Sequence, residues 1–311
     1  FITAPTISNL FSEIISIWIV SSWQKLGKPK NFNFVELGPG DGSFSKVLVD
    51  TFKNFPEINK SINIYLYEKS DFLVNVQKKK LKGSKIKWIK NFNKIKKGPV
   101  IFFGNEFFDA IPIKQFSSQK NSLLEKCYII NPKIGLNEAY QAASLEDVTK
   151  IKTFEVLKRL KFIEYPKLGL IELDKMVKKI NEQNGGILLI DYGYLKPKNI
   201  SSIQSVLKHK KNNLFNNLGK ADITSLVNFS LLEEYFKKQN LKVKKIVSQK
   251  FFLERMGIIA RANILSKKMS FNEQSNLYLR MKRLLDKKLM GELFKVIFTY
   301  KHKKNNFEGF R

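Results

Sequence analysis

The chain has 311 residues, of which 43% are hydrophobic and 13% aromatic, so wholesale disorder is excluded and one large α/β domain with insertions is allowed. The single Cys127 excludes a disulfide framework and a cysteine-based zinc site, and with two histidines we predict no metal site. The net charge of +29 favours anionic partners such as RNA, membrane surfaces or acidic proteins, although A/T-rich coding DNA would produce the same excess of Lys, Asn, Ile and Phe.

The first predicted element is a helix over residues 6–26, which carries a broad apolar stripe. Residues 1–5 are expected to be extended, because Pro5 disfavours helix in the residue before it. The longest apolar run, residues 14–23, is far shorter than the roughly 20 residues that span a membrane, so no transmembrane segment is predicted. No targeting peptide is visible, but the chain opens without a methionine and an upstream signal would not be seen.

A short apolar run, residues 33–37, is followed by a glycine-rich turn and a helical pattern over residues 43–55. A strand that feeds a helix through such a turn is typical of a ligand cradle, because glycines let backbone N–H groups approach the ligand at a positively polarised helix start. The spacing differs from the dinucleotide-binding fingerprint, which would need a glycine at Ser43. The glycines are instead Gly38, Gly40 and Gly42, preceded by Glu36 within the strand. This pattern resembles motif I of class I S-adenosylmethionine-dependent methyltransferases.

The second strand is predicted over residues 62–67 and ends at Glu68. An acid at this position can accept hydrogen bonds from both ribose hydroxyls of a nucleoside, since ligands of such sheets lie beyond the carboxyl ends of the strands. A helix is predicted over residues 70–81, with a third strand near residues 86–89. The tract of residues 78–97 contains ten lysines and no acid, and we interpret it as solvated surface rather than an RNA-binding face.

A buried strand over residues 100–103 is followed by Asn105, Glu106 and Asp109. Two carboxylates and an amide beside aromatic residues are poor packing choices unless they face a pocket, where they can hold a cationic acceptor nitrogen. The alternative is a polar turn that caps a following helix.

Residues 115–184 are predicted to be an insertion over the active edge, with a hairpin set in residues 115–140, turns near 131–135 and a helix over 168–183. Glu164 is interpreted mainly as part of the lead-in to that helix. The core resumes with a strand over residues 185–194, whose acid Asp191 is expected to face the substrate cavity together with Tyr192.

A smaller insertion near residues 195–230 includes His209 and Asp222, and Asp222 is either a helix N-cap or a ligand contact. The remaining predictions are, in chain order, a helix over 231–239, a strand over 242–249, a segment over 251–258 lying across it, a basic amphipathic helix over 274–285, a strand over 294–299 and a polar tail over 301–311.

Six segments occur along the chain in a fixed order: residues 1–5, 36–40, 105–112, 191–194, 219–224 and 290–295. Together they resemble the MidA family of methyltransferases, and the resemblance covers nearly the whole chain. It implies a Rossmann-like class I methyltransferase sheet with helices on both faces and inserted β-hairpin and helical segments, built from residues 1–114 and 185–311. In the family's mitochondrial branch it implies protein arginine methylation tied to assembly of respiratory complex I.

The hypothesis is therefore a methyltransferase that uses S-adenosyl-L-methionine and acts on a protein, for which a complex I subunit is the leading candidate. The alternatives are an RNA methyltransferase and an assembly chaperone without turnover. The expected compartment is the bacterial cytoplasm or the mitochondrial matrix. The cofactor-binding candidates are Glu36, Gly38, Gly40, Gly42, Glu68 and Asn105, and the catalytic candidates are Glu106, Asp109 and Asp191.

Overall fold

The structure is a computed structural model that describes residues 3–119, 122–132, 135–207, 210–303 and 306–311. Predictions that concern residues 1–2, 133–134 and His209 lie outside these ranges. The helices are α1 (Ala4–Ile7), α2 (Asn9–Lys25), α3 (Ser43–Phe52), α4 (Pro56–Ser61), α5 (Asp71–Lys80), α6 (Leu145–Lys152), α7 (Glu155–Lys158), α8 (Lys167–Gln183), α9 (Phe229–Lys238), α10 (Gln249–Arg255), α11 (Ile258–Ser266), α12 (Phe271–Leu285) and α13 (Met290–Leu293).

The strands are β1 (Phe32–Leu37), β2 (Ile62–Tyr67), β3 (Lys87–Ile89), β4 (Val100–Asn105), β5 (Lys114–Gln119), β6 (Ser122–Asn131), β7 (Gly135–Ala142), β8 (Phe162–Tyr165), β9 (Gly185–Tyr194), β10 (Gln204–Leu207), β11 (Lys210–Asn212), β12 (Asp222–Thr224), β13 (Val227–Asn228), β14 (Lys242–Val243), β15 (Val247–Ser248) and β16 (Phe294–Lys301). In the described part of the chain, every helix is too short or too polar to cross a bilayer.

The chain divides into two compact units. The first contains Phe1–Phe107, Lys175–Tyr192 and Leu241–Arg311, and the second contains Phe108–Asp174 and Gly193–Asn240. The boundaries predicted from the sequence, at residues 114 and 184, separate the methyltransferase core from the insertion. They divide the chain by function and not by compactness, and they stay a prediction.

The first unit is built on a sheet with the strand order β14-β16-β9-β4-β1-β2-β3. Strands β3, β2, β1, β4 and β9 run parallel, while β16 pairs antiparallel with β9. All six residues of β1 are buried, as expected for a parallel strand covered on both faces. Because β1 lies between β2 and β4, the chain reverses its winding there, and ligands of such sheets bind at this switch point.

The core of the first unit is rich in aromatic side chains. Trp18 of α2 meets Phe298 of β16 edge to face, with ring centroids 4.9 Å apart. The predicted polar tail is wrong in one respect, because Phe307 and Phe310 are buried in this core. Both rings pack against Phe298, so the final residues of the sequence cover the outer part of the sheet.

The second unit contains two antiparallel sheets, with strand orders β7-β6-β5-β8 and β11-β10-β12. The first of these sheets confirms the predicted hairpin set, since β5, β6 and β7 pair in succession. In addition, β13 pairs in parallel with Gly193 and Tyr194 at the end of β9.

Two corrections concern helix starts. The predicted helix over residues 6–26 is two helices, α1 and α2, because Ser8 adopts an extended φ of −153° and caps α2 by accepting from the N–H of Leu10. Helix α1 also includes Ala4, since a proline is tolerated in the first turn of a helix.

Further corrections concern elements whose type or extent was wrong. Asp222 lies in strand β12 and does not cap a helix; the side chain of Asn228 instead caps α9. The turn after Asp109 leads into strand β5 and not into a helix. Residues 251–258 are largely helical within α10 and α11, and the strand predicted over residues 242–249 is two short strands, β14 and β15.

Candidate active site

The register of the sheet aligns the ends of its central strands, all within the first unit. One row of paired residues runs across these strands and consists of Tyr67, Leu37, Gly104 and Leu189. Glu68, Gly38 and Asn105 are the residues that come directly after the first three members of this row. These three positions are far apart in sequence and therefore share the carboxyl edge of the sheet at its switch point.

The glycine-rich turn leaves this edge open at its centre. Gly40 has a φ of +55°, and a Cβ added there would meet nothing within 4 Å. At Gly38, with a φ of +60°, a Cβ would instead lie 3.1 Å from Cδ2 of Phe107. Gly42 is the N-cap of α3. The turn therefore has the open, glycine-lined form that lets a ligand approach the backbone.

Gln77 of α5 joins the glycine turn to the acid of the second strand. Its fully buried amide nitrogen donates to the carbonyl of Gly40 at 2.7 Å and to Oε2 of Glu68 at 3.2 Å. Its oxygen accepts from Nε1 of Trp88 at 2.9 Å. The N–H of Ser70 donates to the other oxygen of Glu68 at 2.8 Å. The Glu68 carboxylate is thus oriented from two sides.

Glu36 lies buried in β1 beneath the turn, and Oε2 accepts a short hydrogen bond from the hydroxyl of Ser45. Burial raises the pKa of the Glu36 carboxyl to about 8, the hydrogen bond from Ser45 opposes this shift, and the nearby charges of Asp41 and Glu68 raise it further. Burial thus favours the neutral form of Glu36 beneath the turn, while Asp41 of the turn pairs with Nζ of Lys80 at 2.6 Å.

Glu106 has a left-handed backbone, with a φ of +50°, which is strained for a residue with a side chain. Its N–H donates to the carbonyl of Ile190 at 3.0 Å. Its Oε1 accepts from the N–H of Ala4 at 3.2 Å and from Nδ2 of Asn105 at 3.1 Å. Two of the segments that carried the family resemblance, residues 1–5 and 105–112, therefore meet at this carboxylate.

The amide oxygen of Asn105 is buried without a hydrogen-bond partner among the described residues. Buried polar atoms are normally satisfied, so an orphaned acceptor at the edge of the sheet suits a site that takes a donor from a ligand.

Asp191 is 1% exposed near the end of β9, one residue beyond the partner of Asn105 in the sheet register. Its Oδ1 accepts from the N–H of Tyr192 at 2.9 Å. Asp191, Glu106 and the cofactor candidates thus all belong to the first unit.

Asp109 belongs to the second unit, where it is buried and its main-chain carbonyl accepts from the N–H of Ser225 at 3.2 Å. Glu164 is also buried in that unit, within β8. It is therefore a strand residue with its own hydrogen bonds and not part of a helix lead-in.

Sequence reasoning missed Gln77 and the role of Trp88. The available signal was a glutamine within a predicted helix, which is indistinguishable by itself from a surface residue. Its partners come from another strand and from the turn, and no local pattern gives those contacts.

The residues at this edge fit a nucleoside-type cofactor. The open glycine turn admits backbone contact, the oriented Glu68 carboxylate can accept from ribose hydroxyls, and the amide oxygen of Asn105 can accept from a further donor. Among the described residues, no cluster of three or more histidine, cysteine or acidic side chains has the arrangement of a metal site.

Comparison with known proteins gives a consistent result. A family model described as "Putative S-adenosyl-L-methionine-dependent methyltransferase" matches residues 14–247. The protein named "Protein arginine methyltransferase NDUFAF7, mitochondrial" is 26% identical in Xenopus laevis, over 97% of this chain and 74% of that protein. Its human counterpart is 27% identical, over 98% and 74%. A Burkholderia thailandensis structure bound to S-adenosyl-homocysteine matches 99% of this chain and 80% of that chain, with a TM-score of 0.82 at 19% identity.

Proposed function

The chain belongs to this family of S-adenosyl-L-methionine-dependent methyltransferases, and from this premise we propose that it methylates an arginine side chain of a partner protein. The observation that carries the proposal is the common edge formed by Glu68, Gly38 and Asn105, with open space above Gly40. The names of the relatives, which are protein arginine methyltransferases of mitochondria, support the choice of acceptor.

The cofactor would be held by the residues at the end of β1 and its neighbours. Glu68 would accept from the ribose hydroxyls, since Gln77 and Ser70 orient its carboxylate. The glycines of the turn and the Asn105 amide would contact the remainder of the cofactor. When bound, S-adenosylmethionine supplies an electrophilic methyl group and leaves as S-adenosylhomocysteine.

The acids Glu106 and Asp191, both in the first unit, would orient the acceptor. The catalytic role predicted for Asp109, which lies in the second unit, stays a prediction. The lone pair of a guanidinium nitrogen would form the new C–N bond while the electrons of the methyl–sulfur bond remain on sulfur. The nitrogen would then pass one proton to a neighbouring carboxylate, which releases it to water. A carboxylate can align the planar N–H donors of the acceptor and stabilise the charge on that nitrogen. Most of the rate enhancement would come from alignment at about 3–3.5 Å.

The biological setting that we propose is the assembly of respiratory complex I, with one of its subunits as the protein substrate. The chain would act in the mitochondrial matrix or, in a bacterium, in the cytoplasm. The mitochondrial relatives favour this setting, and the candidate substrate is a subunit that carries an accessible arginine.

The decisive test combines cofactor binding with product detection. Isothermal titration should show binding of S-adenosylhomocysteine, and mass spectrometry of complex I subunits incubated with the protein should show methylarginine. Cofactor binding without transfer to any subunit would favour the assembly chaperone, and transfer to RNA would favour the RNA methyltransferase. Absence of cofactor binding would contradict the proposal itself.

Glu106→Gln tests the assignment of the acceptor residues. Glutamine keeps an oxygen for the N–H of Ala4, so the fold and the affinity for S-adenosylhomocysteine should change less than threefold. Loss of the negative charge should lower methyl transfer by about 100-fold, in the range of removing one stabilising group from a transition state. Glu57→Gln, an exposed change in α4, is the control, and unchanged turnover in Glu106→Gln would remove Glu106 from the mechanism.

A further inference from the structure

Helices α11 and α12 form a corner of the first unit, which we call the α11–α12 corner and define as residues 258–288. Hydrogen bonds fix the turn between the two helices. Nε2 of Gln274 donates to the carbonyl of Ser266 at 3.2 Å and to that of Met269 at 3.0 Å, and Ser270 is the N-cap of α12. The corner is therefore a defined structure and not a loose loop.

The inner side of the corner packs on the core of the first unit, where Ile258, Ala262 and Leu284 are buried. Its outer side also carries large apolar side chains. Phe271 is 84% exposed and Tyr278 is 66% exposed, and they lie on the same side of α12 because seven residues make about two helical turns. Single apolar residues are ordinary on a protein surface, whereas a group of them on one element indicates an interaction surface. The exposed large apolar side chains of the corner are Ile259, Ile264, Phe271, Tyr278 and Leu279.

The corner is also strongly positive. Residues 258–288 contain eight lysines or arginines and two acids, and all eight basic residues are exposed. Arg261 pairs with Glu13 at 2.8 Å, and the other seven form no ion pair with an acid in the described part of the chain. Lys267 and Lys268 lie in the turn shortly before the exposed ring at the start of α12. Exposed apolar groups beside unneutralised cations suit a partner that is both anionic and apolar.

We propose that the α11–α12 corner docks on the surface of an anionic lipid bilayer. Phe271 and Tyr278 enter the region of the headgroups. Lys267, Lys268 and Lys282, at the two ends of this aromatic stripe, contact lipid phosphates. Surfaces that bind a membrane from one side combine apolar residues with lysine and arginine in this way, and their affinity increases with the buried apolar area and with the proportion of anionic lipid. The inference concerns the first unit alone and does not depend on the proposed methyl transfer.

Two other occupants match the corner less well. A second copy of this chain would bring two sets of positive side chains together, and their repulsion would oppose the contact. A soluble acidic protein would attract the lysines, but lysine is depleted in the cores of protein interfaces, whereas here lysines flank the aromatic stripe. A bilayer accepts this arrangement, because its phosphates can meet the lysine side chains while its acyl chains lie just beneath.

The first experiment measures the partition of the full chain onto lipid vesicles by co-sedimentation. Vesicles of phosphatidylcholine with about one third phosphatidylglycerol should bind the wild type at least tenfold more tightly than pure phosphatidylcholine does. Phe271→Ala should weaken binding to the anionic vesicles about tenfold, because the apolar area of the ring is no longer buried. Phe72→Ala is the matched control, since Phe72 is also largely exposed, in α5 of the same unit, and its loss should change binding less than twofold.

Paired substitutions test the role of the charge. Lys267→Gln combined with Lys268→Gln should weaken binding to the anionic vesicles about 20-fold, at roughly fivefold for each charge. The matched control is Lys82→Gln combined with Lys85→Gln, which removes two exposed lysines from the tract of residues 78–97 in the same unit. This control pair should change binding less than threefold. Thermal unfolding verifies that every variant is folded.

Insertion is measured separately with Phe271→Trp and Phe72→Trp. Lipids brominated on their acyl chains should quench the fluorescence of the tryptophan introduced by Phe271→Trp, above the background of the three native tryptophans. They should not quench the one introduced by Phe72→Trp, because that position is not expected to enter the bilayer.

Several results would overturn the inference: equal binding to neutral and anionic vesicles, no binding to either, equal losses in the two lysine pairs, or absence of quenching. Polyglutamate that binds as tightly as the vesicles, with an affinity that Phe271→Ala leaves unchanged, would assign the corner to an acidic protein instead. A dimer in sedimentation velocity that Phe271→Ala dissociates would assign it to a second copy of the chain.

Discussion

Glu36 is an acidic residue whose burial disfavours the charged form of its carboxyl group. Its carboxyl has a pKa of about 8 in the folded protein because burial penalises the charged form, compared with about 4.5 for an exposed glutamate. Between these values the folded state binds the proton more tightly than the unfolded state does. The stability that Glu36 contributes is therefore lost as the pH rises through this window.

Because of this raised pKa, the free energies of unfolding of the wild type and of Glu36→Gln, measured without cofactor, should differ by an amount that depends on pH. The two proteins should be most similar in free energy of unfolding below pH 4.5, where the glutamate is neutral in the folded and in the unfolded state. As the pH rises toward 8, the wild type should lose up to about 1.4 kcal/mol per pH unit relative to the variant. Urea unfolding at several pH values measures this difference, with Glu57→Gln as an exposed control, and a difference that does not vary with pH would contradict it.

Gln77 is the residue on which the shape of the cofactor site depends most. Gln77→Leu should lower the free energy of unfolding by about 2 kcal/mol, because buried partners lose their hydrogen bonds. The affinity for S-adenosylhomocysteine should fall about tenfold, because Gly40 and Glu68 lose their common support. Asn75→Leu, an exposed change on the same helix, is the matched control for calorimetry and titration. Equal affinities in the two variants would show that Gln77 does not position the site.

At the residue scale, the sequence alone predicted which side chains follow the strands. It did not predict the hydrogen bonds that orient these side chains. Glu68 and Asn105 were identified because each follows a short apolar run. The bond from Gln77 to Gly40 joins residues 37 positions apart, and the left-handed backbone of Glu106 depends on its surroundings. Such features follow from tertiary packing and have no local sequence signal.

At the scale of the element, β9 illustrates how close backbone approach fixes a sheet. A Cβ on Gly186 would lie 2.4 Å from the carbonyl oxygen of Thr299 and 2.7 Å from a ring carbon of Phe298, both in β16. The strand can therefore pair with β16 only when this side chain is absent. Strands β2 and β9 were predicted with their observed bounds because each contains four successive apolar residues, 64–67 and 187–190, and such runs are characteristic of buried parallel strands.

Gly186→Ala should accordingly destabilise the first unit by about 3 kcal/mol or more, since neither backbone nor a buried ring can move without cost. Gly83→Ala is the matched control. It meets nothing within 4 Å and only strains a φ of +81°, which should cost about 1 kcal/mol. Denaturant unfolding measures the free energy of unfolding of both variants. If the two variants lose the same free energy, β9 and β16 can move apart to accommodate the added methyl group.

Short helices and strands were the elements that sequence failed to separate. Ser8 divides α1 from α2 by a single extended residue, and the apolar periodicity continues across the break. Likewise, β12 is three residues long, which is too short for alternation to distinguish it from a helix start. Periodicity needs several turns or strand pairs before it becomes informative.

On the scale of the whole molecule, the first unit is assembled from three separate stretches of chain. Its core joins residues from both ends of the sequence, and Nε1 of Trp18 donates to the carbonyl of Glu308 at 3.2 Å across 290 positions. The sequence predicted a polar tail over residues 301–311, but Phe307 and Phe310 of this segment are buried in the core. Contacts of this range cannot be derived from one sequence without a template for the fold.

This arrangement predicts that the last residues of the sequence stabilise the cofactor-binding unit. Phe310 is 7% exposed, and its ring centroid lies 5.3 Å from that of Phe252 and 6.0 Å from that of Phe298. Phe310→Ala should therefore lower the free energy of unfolding by about 3 kcal/mol, the usual cost of removing a buried ring. The measurement is urea unfolding monitored by tryptophan fluorescence.

Phe271→Ala provides the control, because that ring is 84% exposed at the start of α12 and its loss should change stability by less than about 0.5 kcal/mol. S-adenosylhomocysteine should restore part of the stability lost in Phe310→Ala, since a ligand of the folded unit shifts the equilibrium toward it. If Phe310→Ala unfolds at the same urea concentration as the wild type, the closing segment is not part of the cooperative core. The sheet would then hold the cofactor edge together without the end of the sequence.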